Sequence, residues 1–98
     1  MPYELQSTTT FRRWFSGLSS TIKNTLLSRL ARVENGHFGD HKALTGGLFE
    51  LRCFFGGGVR VYYTVRGQHV VLLLAGGDKS TQSRDIAKAK TLLAELED

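Results

Sequence analysis

A single cysteine in 98 residues rules out an intramolecular disulfide framework, and no Cys/His spacing in the chain matches a structural zinc site, so a reducing compartment is expected. Long hydrophobic runs are missing too. The longest, Val70 to Ala75, falls far short of the roughly 20 residues that a membrane helix requires. Acidic residues are scarce relative to basic ones, 9 against 13, which gives a net charge of +4 and favours polyanionic partners such as RNA, DNA or the ribosome, or an acidic protein. There is no internal repeat, linker or low-complexity segment, so residues 1–98 read as one domain. Arg12, Arg13 and the nearby threonines do not make a targeting peptide, because the apolar spacing there belongs to a packed helix.

What the chain does have is a strand-rich centre. Leu48 to Phe55, Val59 to Arg66 and His69 to Ala75 are rich in Val, Leu, Phe and Tyr, and glycine-bearing turns separate them, the pattern of a β-meander. Phe49, Leu51, Cys53 and Phe55 share one parity, as do Val59, Val61, Tyr63 and Val65, so one face of the sheet is apolar and needs a cover. Glu50, Arg52, Arg60, Tyr62, Thr64 and Arg66 fall on the other face, which is expected to be polar and basic. The third run is apolar at both parities and reads as an internal strand covered on both sides.

Before the meander, Tyr3 to Thr8 alternates and predicts a short strand. Phe11, Trp14, Phe15 and Leu18 then form an i, i+3, i+4, i+7 stripe on a first helix capped by Thr10. A second helix, capped by Ser19 or Ser20 and stopped by Asn35-Gly36, turns Ile22, Leu26, Leu27, Leu30 and Val33 inward and leaves Lys23, Arg29 and Arg32 on its solvated side. This helical hairpin is the expected cover for the apolar sheet face. Gly36 to Gly47 reads as a structured loop anchored by Phe38, with Asp40 capping or forming a turn. His37 and His41 make only a weak metal pair there, because the glycines argue against a helix and no third ligand is evident.

Gly76-Gly77-Asp78-Lys79-Ser80-Thr81-Gln82 leads into a last helix with Ile86, Ala89, Leu93 and Leu96 inward and Ser80 or Thr81 as its cap; its acidic end, Glu95, Glu97 and Asp98, is expected to fray. A glycine-rich strand-to-helix turn with a lysine can cradle a phosphate on its backbone N–H groups, although this one lacks the full phosphate-loop spacing.

Taken together, the element order and several motifs resemble the RelE/ParE superfamily of toxin–antitoxin toxins, within it the HigB-type addiction module killer group. The motifs are Thr10-Phe11 with Trp14, Arg29 to Val33 leading to Asn35-Gly36-His37-Phe38-Gly39-Asp40, Phe49-Glu50-Leu51-Arg52, Gly58-Val59-Arg60-Val61-Tyr62-Tyr63, and Gly76 to Gln82 with Asp85-Ile86. The resemblance implies an α+β fold of order β-α-α-β-β-β-α, with the helical hairpin packed on a small, mainly antiparallel sheet. It also implies a cytoplasmic toxin without cofactor or metal, held by a cognate antitoxin of helix-turn-helix type, that cleaves mRNA on the ribosome as an endoribonuclease (mRNA interferase) and so inhibits translation. Alternatives are a ParE-like inhibitor of DNA gyrase and a partner-binding relic without chemistry. By the same resemblance Arg60 and Lys79 match the basic positions, Arg52 approximately so, and Asp85 stands near the place of an acid/base tyrosine. Tyr62 is the other proton-transfer candidate.

Overall fold

The computed structural model describes residues 2–96; Glu97 and Asp98, to which the expected fraying extends, lie outside them. In chain order the elements are β1 (Glu4–Ser7), α1 (Thr9–Ser16), α2 (Ser20–Glu34), β2 (His41–Thr45), β3 (Leu48–Arg52), β4 (Arg60–Arg66), β5 (Val70–Gly77), a 3₁₀ turn (Lys79–Thr81) and α3 (Gln82–Leu96). The strands form one sheet in the order β1-β5-β4-β3-β2, in which β1 runs parallel to β5 and the other pairings are antiparallel.

The α+β architecture and the meander are as the sequence predicts. β5, apolar at both parities, lies inside the sheet with a helical layer on each side. On one side Phe11, Leu26, Leu30 and Val33 of the hairpin pack with Leu51, Cys53, Val59, Val61, Tyr63, Val71 and Leu73 of the sheet. Phe49 and Tyr63, opposite each other in register, stack with ring centroids 5.4 Å apart. Leu30 is buried in this layer, so Leu30→Ala should lower stability by about 2–5 kcal/mol through lost transfer energy and the cavity left behind. A urea midpoint equal to the parent's would show that the hairpin does not carry the core.

Four local expectations are corrected. The cap of α1 is Thr8 rather than Thr10: its Oγ1 accepts from the Phe11 N–H at 3.0 Å and donates to the Leu74 carbonyl at 2.6 Å, tying the helix start to β5. Residues 41–45 of the expected loop form edge strand β2, paired with β3. Phe38 does anchor the connection, ring to ring with Tyr3 and Tyr63. Leu27, expected inward, is 51% exposed and lines an apolar groove of about 390 Å³ with Leu5, Phe11, Phe15 and Leu30.

The fourth concerns Arg29, which the sequence places on the solvated side of α2. It is only 8% exposed. Its guanidinium donates to the carbonyls of Arg52 and Phe38 at 2.8 Å each and of Asp40 at 3.1 Å, so one cation closes the corner where β2, β3 and the preceding loop meet.

Candidate functional site

The sheet brings the expected basic residues into one row. Arg52 on β3 stands directly opposite Arg60 on β4, and Arg60 opposite Gly77 on β5, two residues before Lys79. Opposed side chains of an antiparallel pair share a face, so the two guanidinium groups are neighbours, an arrangement that disfavours folding unless something offsets it. For Arg52 the offset is Asp40, whose Oδ1 accepts from its Nη2 at 2.9 Å; this ion pair, rather than a cap or turn, is what Asp40 supplies. Arg60 has no acid partner among the described residues. Its Nη1 donates weakly to the carbonyls of Cys53, Gly58 and Val59 at 3.2–3.4 Å, and its Nε meets no acceptor among the described residues. Lys79 is exposed beside it: a Cβ built on Gly58 would lie 3.3 Å from Lys79 Cβ and 3.5 Å from Arg60 Nη1. The row thus presents two cations without acid partners among the described residues, with hydrogen-bonding capacity to spare, flanked by a third that is paired.

The rest of this face differs from the polar, basic face expected. α3 lies across it, packing Ala89 and Leu93 on Leu48, Tyr62, Leu72 and Leu74. Tyr62 is therefore a core residue, 0% exposed, and a polynucleotide cannot reach its hydroxyl. Burial first, and the neighbouring Glu50 carboxylate second, push its pKa well above the ordinary phenol value, which further disfavours proton exchange near neutral pH. Glu50 itself is 2% exposed and accepts a 2.6 Å hydrogen bond from Gln82 Nε2, a polar bolt between β3 and the start of α3. Sequence reasoning assigns Glu50 only to a polar face. The signal available is a charged residue opposite Tyr62 on a strand pair whose neighbour, β5, needs covering on both faces.

The turn before α3 is built differently from a phosphate cradle. Asp78 Oδ1 accepts from the N–H groups of Ser80 and Thr81 at 2.8 and 3.2 Å, and Thr81 Oγ1 accepts in return from the Asp78 N–H. Asp78 caps the 3₁₀ turn that leads into α3. Amides already bonded to a carboxylate have little left for an incoming phosphate. The Ser80 hydroxyl and these N–H groups hold the Asp78 carboxyl below the usual carboxylate range.

Asp85 is buried at the first turn of α3 and accepts a 2.5 Å hydrogen bond from Thr81 Oγ1, with Arg84 Nε 3.7 Å from its other oxygen. It fits because its neighbour on β5 is glycine: a Cβ on Gly77 would sit 1.8 Å from Asp85 Oδ2. On the hairpin side a Cβ on Gly76 would come within 2.3 Å of the Trp14 ring. The Gly-Gly pair therefore lets α3 and α1 close on the strand from opposite sides. Asp85 thus lies over Gly77, the residue of β5 that stands opposite Arg60 in register.

His37 and His41 form no three-member group of metal-binding type with other His, Cys, Asp or Glu residues, and no other such group occurs among the described residues. No helix among them is long and apolar enough to cross a membrane.

Residues 13–96 match the family model described as Phage derived protein Gp49-like (DUF891). An uncharacterised protein of Haemophilus influenzae is 43% identical over 97 residues, covering 98% of both chains. Among solved structures, the isolated E. coli RelE toxin superposes with a TM-score of 0.66 at 18% identity, covering 84% of this chain and 94% of that one. The toxin–antitoxin complex RelBE2 of Mycobacterium tuberculosis gives 0.62 at 25% identity, covering 81% and 100%. The fold is that of RelE, with three helices and five strands among the described residues, one strand more than expected.

Proposed function

Because the chain belongs to the Gp49-like family of phage-derived proteins and shares its fold with RelE, we propose that it is the toxin of a type II toxin–antitoxin system, of HigB-like kind, and that it cleaves mRNA on the ribosome. The observation that carries this reading is the row Arg52, Arg60, Lys79, which offers a phosphodiester two cations not held by acids, at one end of the sheet.

In this reaction the ribose 2′-oxygen attacks the adjacent phosphorus and forms a new P–O bond while the bond to the 5′-oxygen breaks. The products are a cyclic phosphate and a 5′-hydroxyl end. Negative charge builds on the non-bridging oxygens at the transition state, and the Arg60 fork and the Lys79 ammonium are there to meet it. Arg52, already paired to Asp40, holds the row in register more than it contacts substrate. One proton leaves the 2′-hydroxyl and one reaches the 5′-oxygen. Of the two proton-transfer candidates, wholly enclosed Tyr62 drops out, and Asp85 remains, a carboxylate oriented by Thr81 that is 7% exposed and lines a surface cavity.

A cognate antitoxin, expected to be of helix-turn-helix type, is the second partner of this reading. Relatives of the same fold are seen with theirs, the M. tuberculosis complex among them.

The test is purified protein added to ribosomes programmed with a defined mRNA, read by primer extension. Cleavage should appear inside the decoded reading frame. A zinc-selective chelator that leaves ribosomal magnesium in place should not change the rate, since side-chain cations supply the positive charge. Loss of cleavage on zinc removal, restored by zinc, would return His37 and His41 to consideration.

A further inference from the structure

The turn between β3 and β4 presents an aromatic ring to solvent at the edge of the cationic row. Phe54 is 83% exposed, more than any other large hydrophobic side chain among the described residues. A single exposed apolar side chain is ordinary on a protein surface. The way this one is held is not. Its neighbour Phe55 packs against the hairpin core, and the Phe55 carbonyl accepts from the N–H groups of Gly58 and Val59 at 3.0 and 3.1 Å. Gly56, Gly57 and Gly58 all adopt positive φ, 57°, 76° and 84°, so the chain reverses in a conformation that residues with side chains disfavour. Gly56 sits against Ile22 of α2. The loop is thus fixed from below while Phe54 is turned out.

Two further features give the ring a context. Phe54 and Phe55 form one wall of a cleft of about 550 Å³ whose other wall is α2, with Thr25, Ser28, Arg29 and Arg32. Arg32 there is exposed and basic. On the opposite side of the loop, Arg60 Nη1 contacts the Cys53 carbonyl, one peptide unit before Phe54. An aromatic platform and a cleft with an arginine at its wall thus lie on the α2 side of the loop, and a phosphate-competent cation on its other side.

We propose that the cleft between α2 and the β3–β4 loop receives one unpaired RNA base, stacked on Phe54, with Arg32 on the flanking backbone, next to the phosphate that Arg60 and Lys79 hold. This rests on the reading of the chain as an RNA-cleaving toxin and adds to it the site that positions the strand. Stacking on an aromatic face tolerates any base, so the cleft grips the strand and leaves sequence choice to the codon context.

The experiment uses the full chain at low salt with two labelled probes, a short 2′-O-methyl oligoadenylate, which cannot be cleaved, and an abasic oligonucleotide of equal length. Phe54→Ala should weaken binding of the oligoadenylate by roughly 5- to 150-fold and leave the abasic probe unchanged. Phe54→Leu, apolar but without a π face, should behave like Phe54→Ala. Phe54→Trp should keep the parent's affinity, with the emission of the introduced indole quenched by oligoadenylate and not by the abasic probe. Arg32→Ala should weaken both probes alike. The inference is overturned if Phe54→Leu binds as the parent does, or if the indole of the Phe54→Trp variant is indifferent to RNA. It is equally overturned if Phe54→Ala retains RNA binding and loses the antitoxin instead, which would make the ring a protein contact. In those cases codon-level cleavage by the parent would leave the nuclease reading intact; if the parent neither binds nor cleaves RNA, both fall together.

Discussion

Replacing Arg60 by alanine should leave a folded protein that no longer arrests growth. Arg60 lies in the middle of the cationic row, opposite Arg52 and Gly77 and beside Lys79, and none of its contacts is to an acid. Its three carbonyl contacts are long, and the β3–β4 loop keeps its own backbone bonds, Cys53 N–H to Val59 O among them, so the fold does not depend on the guanidinium. Relieving the repulsion with Arg52 works in the same direction. Removing one preorganised charge-stabilising group from a phosphoryl site costs on the order of 10²–10³ in rate, about 3–4 kcal/mol. Thermal denaturation should therefore match the parent within about 0.5 kcal/mol, while single-turnover cleavage on programmed ribosomes falls by that factor. A folded Arg60→Ala protein as toxic as the parent would remove the row from the mechanism.

The second large effect is expected at a residue that touches no substrate. Arg29→Met should destabilise the protein by about 3–5 kcal/mol, because the apolar replacement leaves the carbonyls of Phe38 and Arg52 without the Arg29 donor, while the Asp40 carbonyl keeps only its bond from the Arg52 N–H. The effect at the site should be smaller, since the Arg52 N–H still donates to the Asp40 carbonyl at 2.9 Å and keeps the ion-paired residues together. Urea unfolding of Arg29→Met with a midpoint near the parent's would show that water or neighbouring groups replace the guanidinium.

Arg29 also marks where the sequence is harder to read. It stands three residues after Leu26 and four before Val33, on the inner stripe of α2, but a positive charge at that position reads as solvated because arginine is seldom buried. The periodicity carries the information and residue type outweighs it. β2 is hidden for the opposite reason: His41 to Thr45 is exposed edge strand with glycines on both sides, so neither burial nor alternation marks it.

The apolar parity of the meander and the hairpin that covers it are legible because both faces follow strict periods. The second cover is legible in principle as well. β5 is apolar at both parities, so a sheet containing it needs a layer on each side, and α3, carrying Ala89 and Leu93 inward, is the one element left to supply it. Reading the Arg60, Tyr62 face as polar and basic overlooks that requirement, and it places Tyr62 in the site when it belongs to the core. Arg52, Arg60 and Lys79 are brought together by the register of adjacent strands, which the turn positions already constrain. The 3₁₀ turn that Asp78 caps ahead of α3 is not separable by sequence from the start of the helix, since Asp78, Ser80 and Thr81 are all good capping residues within one turn.

The central claim is that this chain stops growth by cutting mRNA during translation, and its most direct test is transcriptome-wide mapping of RNA 5′ ends after brief induction of the parent and of Arg60→Ala. The account predicts new 5′-hydroxyl ends inside translated reading frames in the parent and none in the variant. Growth arrest by the parent with its mRNAs intact would contradict it.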